Sequence, residues 1–475
     1  MKRYLSYCVF VLLIGLSFGV LSCKKDSALT TGHLDFSKDT IVFDTVFTTI
    51  GSTTQQFKIY NNNDRTIKID EIELMGGDDS PFRINIDGEA ATLISEVLIE
   101  EGDSLFGFVE VTLDVNGGTL PLVVEDSLRF RTNGKDQYIH LVVWGQDAYF
   151  HYNDIMNTQT WQNDKPHVIY GFAAVDEGQT LTIPAGTNVH LHKGSVLWVY
   201  KSSLQIQGVY GNPVIFCGDR LESFYDDVAG QYYGIYFQEA LPSKINYCSI
   251  KNGTAGIHLY SEDPSNTGYT LELTNTEITN CASYGLFLFT DSLKENPSVH
   301  AENIILAKNG FHSFFVLGGG DFNINHSHIL GYAKSGQNPT FGIRNHYTDP
   351  EGNTWVSNVD EGTITNCVIY GDLDQELAFD TINPNGTTTL NFDFQFNMLL
   401  SDPVLTEPIF SNNYWNEEPL FMSIADGDFF YYSNSPLNNA GSNSFVNTIT
   451  EAVGIGINGV PRSTPNPNIG AYERE

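Results

Sequence analysis

Between residues 33 and 147 the chain runs in short segments in which apolar and polar residues alternate. The segments 40–47, 55–60, 66–74, 82–86, 105–113, 127–131 and 138–144 each read as a strand with one buried face, since successive side chains on a strand point to opposite sides. In 55–60, for example, Phe57 and Ile59 fall on one side and Lys58 on the other. Turn-forming residues separate the segments: Asn61-Asn62-Asn63-Asp64, Gly76-Gly77 and Asn133-Gly134. Seven short alternating strands predict a β-sandwich.

From 148 to 475 the pattern changes to apolar strands of four to six residues, broken by Gly, Asn and Asp, with almost no helical periodicity. An internal repeat emerges when Ile250, Ile278, Ile305, Ile329 and Ile369 are aligned, with gaps of 28, 27, 24 and 40 residues. The last gap contains an insertion near 345–362. A second row of Gly-aliphatic pairs accompanies the first: Gly234-Ile235, Gly256-Ile257, Gly285-Leu286 and Gly342-Ile343. A repeat of this length without a helix predicts a right-handed parallel β-helix, in which stacked coils bury one continuous core. The aligned isoleucines, and Cys248 and Cys367 two residues before two of them, are expected to point inward. Asn252 and Asn309, each before a glycine, are expected at coil corners, where left-handed backbone is cheap.

The first region, with "FKIYNNNDRTIKIDEIEL", "IEEGDSLFGFVEV" and "IHLVVWGQD", resembles the immunoglobulin-like domains of many bacterial surface proteins. That resemblance implies a spacer or adhesive module. The second region opens with "LTIPAGTNVHLHKGSVLWVYKSSLQIQGVYGNPVIFCG" and closes with "PNIGAYERE". It is similar to the pectate-lyase-like β-helix repeat proteins of Bacteroidetes, with Gly470-Ala471-Tyr472-Glu473 as the most recognisable closing piece. The resemblance implies a fold whose members include polysaccharide lyases and hydrolases as well as proteins without known activity.

Charge narrows the partners. Asp and Glu outnumber Lys and Arg 57 to 24, a formal charge of −33, and such a field repels DNA, RNA and anionic lipid. Residues 1–22 have the layout of a secretory signal: Lys2 and Arg3, an apolar run, then Leu21-Ser22-Cys23. The last three residues resemble a bacterial lipobox. This implies cleavage before Cys23, its lipidation, and a membrane anchor of several acyl chains, followed by a tether over 23–32. Lys24-Lys25-Asp26 partly resembles the surface-export signal of Bacteroidetes lipoproteins, so the expected address is the outer membrane, facing outward. Of the other cysteines, Cys217, Cys248, Cys281 and Cys367 follow no CxxC spacing. Buried free thiols fit them better than a zinc site.

Candidate chemistry is thinner. Lys201, Arg220, Lys251 and Arg344 are the cations that could serve a lyase, with calcium as the one cofactor worth testing, yet none falls in a motif and each reads more simply as a surface charge. Asp226-Asp227 lies in a loop without the partners a hydrolase needs. His190 with His192, and His326 with His328, alternate on strands but lack a third metal ligand. Aromatic residues give the better clue, because sugar C–H faces pack on flat amphipathic rings. The insertion carries His346, Tyr347 and Trp355, and a second loop carries Tyr225, Tyr232 and Tyr233. These six are the candidate glycan-binding residues. The leading expectation is a non-catalytic glycan-binding or adhesive lipoprotein; the alternatives are polysaccharide cleavage and a scaffold for partner lipoproteins.

Overall fold

The computed structural model describes residues 29–474 apart from 116–121, 292–293, 335, 385 and 446–453. The expected signal segment, Cys23 and most of the tether lie outside the described residues. The chain divides into two compact units at Gln146/Asp147, and among the described residues no α-helix occurs.

The first unit is a sandwich of two five-stranded sheets. One contains Asp35–Phe36, Gln55–Tyr60, Ser104–Val111, Phe82–Ile86 and Glu89–Ala90, all antiparallel. The other contains Thr40–Phe47, Lys135–Gln146, Leu122–Thr132, Ile67–Leu74 and Leu93–Ile99, of which Thr40–Phe47 runs parallel to Lys135–Gln146. Phe43, Phe57, Ile69, Phe82, Val109, Phe130 and Leu141 fill the space between them. The Asn61 turn is fixed from inside: its buried amide donates to the carbonyls of Arg65, Ile99 and Glu100 at 2.8–3.0 Å. All seven expected strands are present, and Leu93–Ile99 is an addition. Glu96 adopts φ +60 within it, which interrupts the alternation that would have disclosed the strand.

The second unit is a parallel β-helix. One coil runs through Ser203–Gln207, Val214–Gly218 and Gly234–Ala240. The next runs through Ser243–Asn246, Cys248–Lys251 and Ala255–Glu262, each strand pairing in parallel with its counterpart. Stacking such coils produces three faces. Inward ladders such as Leu197, Ile235, Ile257, Leu286, Phe314 and Phe341 form one core. Each large apolar side chain buried there contributes roughly 1.5–3 kcal/mol.

Two expected alignments shift. Leu306, not Ile305, pairs with Ile278 and points inward; the strand period of two means a one-residue slip exchanges faces. Gly342 pairs with Phe315, so Phe341 takes the place expected for Ile343, two residues off. Asparagines turn the corners. Asn252, Asn275, Asn280 and Asn303 have positive φ, and Asn280 donates to Asn252, and Asn303 to Asn275, on the preceding coil at 2.8 and 3.1 Å. Asn309 is a correction: Lys308 takes the left-handed conformation, while Asn309 is buried and accepts the Cys281 N–H at 3.0 Å.

The three faces differ. One, including Thr182, Gln205, Lys244, Glu272, His300 and Asn323, is polar. The second carries Ile305, Leu330, Val368 and Met398, and the later chain packs over it with Phe421, Phe429, Tyr431, Leu437, Ile457 and Ile469. The closing motif secures this cover. Arg462, fully buried, reaches Glu473 at 3.4 Å, Asn303 Oδ1 at 2.6 Å and the Gly470 carbonyl at 3.1 Å. The third face is aromatic.

Candidate functional site

On the aromatic face one outward position recurs in every coil, giving the ladder Ala174, Trp198, Tyr236, His258, Phe287, Phe315, Gly342 and Ala378. Its five rings follow one another with centroids 6.3, 4.9, 4.6 and 5.7 Å apart and interplanar angles of 27°, 42°, 31° and 11°. Parallel strands place equivalent side chains at a spacing near that of stacked aromatic rings, about 4.8 Å. Tyr233 braces one flank by donating its hydroxyl to His258 Nδ1 at 2.7 Å. Burial pushes His258 down to about 4, so the imidazole is neutral within the stack. Tyr284 and His312 add parallel rings beside Phe287 and Phe315, each 4.5 Å away. Because the rings face one another, most of their faces are already occupied and the ladder turns edges outward.

The ladder stops at Phe315, because its next two positions are Gly342 and Ala378. There a cavity of ≈ 270 Å³ opens, lined by Phe311, His312, Phe315, Asn338, Pro339, Gly342, Arg344 and Asp380, among others. Arg344 Nε donates to Asp380 Oδ2 at 2.7 Å, and His346 Nε2 lies 3.9 Å from the same oxygen. His312 donates Nδ1–H to the Pro339 carbonyl, which makes Nε2 the acceptor nitrogen of a ring that burial holds at about 4. The segment bearing Asn338 and Pro339 is fixed from beneath. Lys334 and Glu376, 2% and 0% exposed, form an ion pair at 3.0 Å. Glu376 also accepts the Thr340 N–H at 2.7 Å, and Lys334 donates to the Asn338 carbonyl. Burial pushes the Glu376 carboxyl up, with Lys334 opposing it.

The six expected residues separate into three groups. Tyr347, His346 and Trp355 lie on a hairpin, His346–Thr348 against Thr354–Val356, in which Tyr347 faces Trp355. Tyr347 packs edge-on to Phe289 at 5.3 Å, and Trp355 Nε1 donates to Asp349 at 3.0 Å, so this hairpin borders the aromatic face beside the cavity. Tyr233 belongs to the same face, several coils away. Tyr225 stands apart in the loop after Val214–Gly218, under the Arg220 guanidinium 4.1 Å from its ring. Tyr232 is a correction. It is 1% exposed inside the solenoid, its hydroxyl donates to the Lys251 carbonyl at 2.8 Å, and no glycan can reach it.

The histidine pairs also resolve. His326 has φ +44 and sits at a corner, so it does not alternate with His328; both are fully buried. Among the described residues no group of three or more His, Cys, Asp or Glu side chains is arranged to hold a metal ion. Sequence reasoning missed Trp198, Tyr236, Phe287, Phe315 and Asp380. The signal was present: the residue after each of the first three Gly-aliphatic pairs is the ladder position, Tyr236, His258 and Phe287.

No protein family and no curated protein matches the chain. Among solved structures, a family 123 glycoside hydrolase from Clostridium perfringens, studied for glycolipid glycan hydrolysis, is similar at TM-score 0.18 and 6% identity. The match covers 25% of this chain and 30% of that one, so the chain spans under a third of the hydrolase's length. An ASH/PapD-like domain of human CEP192 is similar at TM-score 0.17 and 10% identity, over 27% of this chain and 94% of that domain. Likenesses this faint carry no functional inference.

Proposed function

We propose that the β-helix is a glycan-binding module carried by an outer-membrane lipoprotein, anchored through Cys23 and facing outward. The observation that carries this reading is the cavity at the end of the aromatic ladder. A pyranose ring entering it packs its C–H face against Phe315, the ring whose next two positions, Gly342 and Ala378, carry no side chain larger than a methyl, and extends the ladder. Arg344, Asp380, Asn338 and His312 supply donors and acceptors for its hydroxyls, the mix of apolar wall and few polar groups typical of small-molecule sites. The cavity is smaller than the 300–1,000 Å³ usual for drug-sized ligands, which suits one sugar unit with the rest of the polymer lying along Tyr347 and the ladder edges. Glycosidic cleavage by paired carboxyls needs two such groups about 5–9.5 Å apart. The cavity lining contributes one, Asp380, and Arg344 holds it, which favours binding over cleavage.

Affinity electrophoresis of the full chain against neutral and acidic polysaccharides, with calcium and with chelator, tests this. At least one polymer retards the wild type, while Phe315→Ala, Arg344→Ala and the cavity-filling Ala378→Phe migrate freely. Retardation unchanged in all three variants rules out this site. Shortening of a polymer in the same samples replaces the binding reading with the enzymatic one. Cys23→Ala separates the anchor from the site: the variant leaves the membrane fraction and still binds.

A further inference from the structure

The strand Val214–Gly218 turns Phe216 into the core and Cys217 outward. His190 is the register partner of Cys217 on the preceding coil. On the following coil Lys251 comes next after Ile250, the partner of Phe216. Cys217 Sγ lies 3.3 Å from His190 Nδ1, which is also 3.1 Å from the Gly218 carbonyl oxygen. A carbonyl oxygen only accepts, so Nδ1 carries a proton, and a sulfur beside that same N–H is favoured as the thiolate. The nearby acid, Asp219, is engaged by His192 at 2.7 Å and by the Tyr170 hydroxyl at 3.2 Å. Arg220 is paired with Glu222 at 2.8 Å. On the inner side the Tyr232 hydroxyl donates to the Lys251 and Phe216 carbonyls.

We propose that Cys217 is a nucleophilic thiol, a modification site that captures low-molecular-weight disulfides and comparable soft electrophiles. The thiolate attacks one sulfur of the small disulfide; the Cys217 S–S bond forms, the original S–S bond breaks, and the second sulfur leaves with the electron pair as a thiolate that takes a proton from water. The electrostatics agree. Burial pushes the Cys217 thiol up, but His190 and then Lys251 pull it below its ordinary value, and His190 rises in turn despite its own burial. The same fold supplies its own controls. Cys248, Cys281 and Cys367 are at most 2% exposed, and burial pushes all three up, the last two to about 12.

Limiting iodoacetamide on the native full chain, followed by peptide mapping that separates Cys217 from every other cysteine, measures this directly. At pH 7 Cys217 is alkylated at least about tenfold faster than Cys248, Cys281 and Cys367. Its rate–pH curve has a midpoint below that of an ordinary thiol, and oxidised glutathione leaves an adduct on the Cys217 peptide that dithiothreitol removes. His190→Gln moves the midpoint upward and slows the reaction at pH 7. An ordinary thiol profile for wild-type Cys217, or a rate no faster than that of Cys248, overturns the proposal whether or not the variant folds. A profile unchanged in folded His190→Gln overturns the role given to the imidazole.

Discussion

His328 shows how much a single side chain carries at the residue scale. It points out of its coil, yet Gly470, Phe421 and Tyr472 cover it, and neither ring nitrogen finds a partner. Gly470 adopts φ +97, and a Cβ there would stand 2.3 Å from His328 Nε2, so only glycine lets the closing motif pass over this ring. Burial pushes His328 down to about 3, His167, His258 and His312 down to about 4, and His326 well below its ordinary value. These imidazoles stay neutral in the fold while the unfolded chain protonates them near pH 6.5. Below that pH the unfolded state binds more protons, so stability falls as the pH falls towards 4; above it the difference vanishes. Asp321, which burial pushes up to about 6, acts in the opposite sense, losing stability as the pH rises to 6, as do the raised Glu277 and Glu376 and, at higher pH, the raised His190. The five histidines outweigh them, and the urea midpoint at pH 5 is expected below that at pH 7.5. His328→Leu removes two unsatisfied polar atoms, so its unfolding free energy at pH 7.5 exceeds wild type by about 1–2 kcal/mol, read as a higher urea midpoint, and its acid limb is shallower.

At the scale of elements, Lys334 and the Thr340 N–H both hold to Glu376 and the Ala333 N–H holds to Asp372, so carboxylates rather than a strand ladder tie this stretch down. Lys334→Met leaves Glu376 buried without its counter-charge, which costs about 3–5 kcal/mol. Hydrogen exchange at Lys334, Asn338 and Thr340 is expected to rise while the strands of the aromatic face keep their protection, and glycan retardation weakens with it. That segment was not visible in the sequence, because the pairing joins residues 42 apart on different coils. Elements governed by local alternation were visible. Thr40–Phe47, Gln55–Tyr60 and Phe82–Ile86 carry the expected bounds, and Ile250 and Ile278 occupy neighbouring rungs as their spacing implied. Legibility failed where the period was broken, at Glu96, or where two adjacent aliphatics competed for one inward position, at Ile305 and Leu306. The candidate site was half legible. Tyr347 and His346 betrayed themselves by lying in an insertion, whereas Phe315, Gly342 and Ala378 acquire meaning only once the coils are stacked in register.

Over the whole molecule, the described solenoid gives each of its three faces a different fate: polar, covered by the chain's later residues, or aromatic. The cover depends on Arg462. Replacing it with Met strands Glu473 in the interior, and undocking of the closing segment is expected to expose Ile305, Leu330, Val368 and Met398. Binding of a hydrophobic dye should rise sharply in this variant while the near-ultraviolet circular dichroism of the Trp198 stack persists. An unchanged dye signal would show that the cover holds without the ion pair. This arrangement also sets an order in time. The chain emerges N-terminus first, so early coils can settle on one another, but Asn303 waits 159 residues for the guanidinium that completes it. Through that interval the chain wears an oily stripe along one side, and a chain cut short before Phe421 leaves Ile305, Leu330, Val368 and Met398 bare. Phe421, Phe429, Tyr431 and Ile469 thus close, in one late step, a seam that the coils before them leave open.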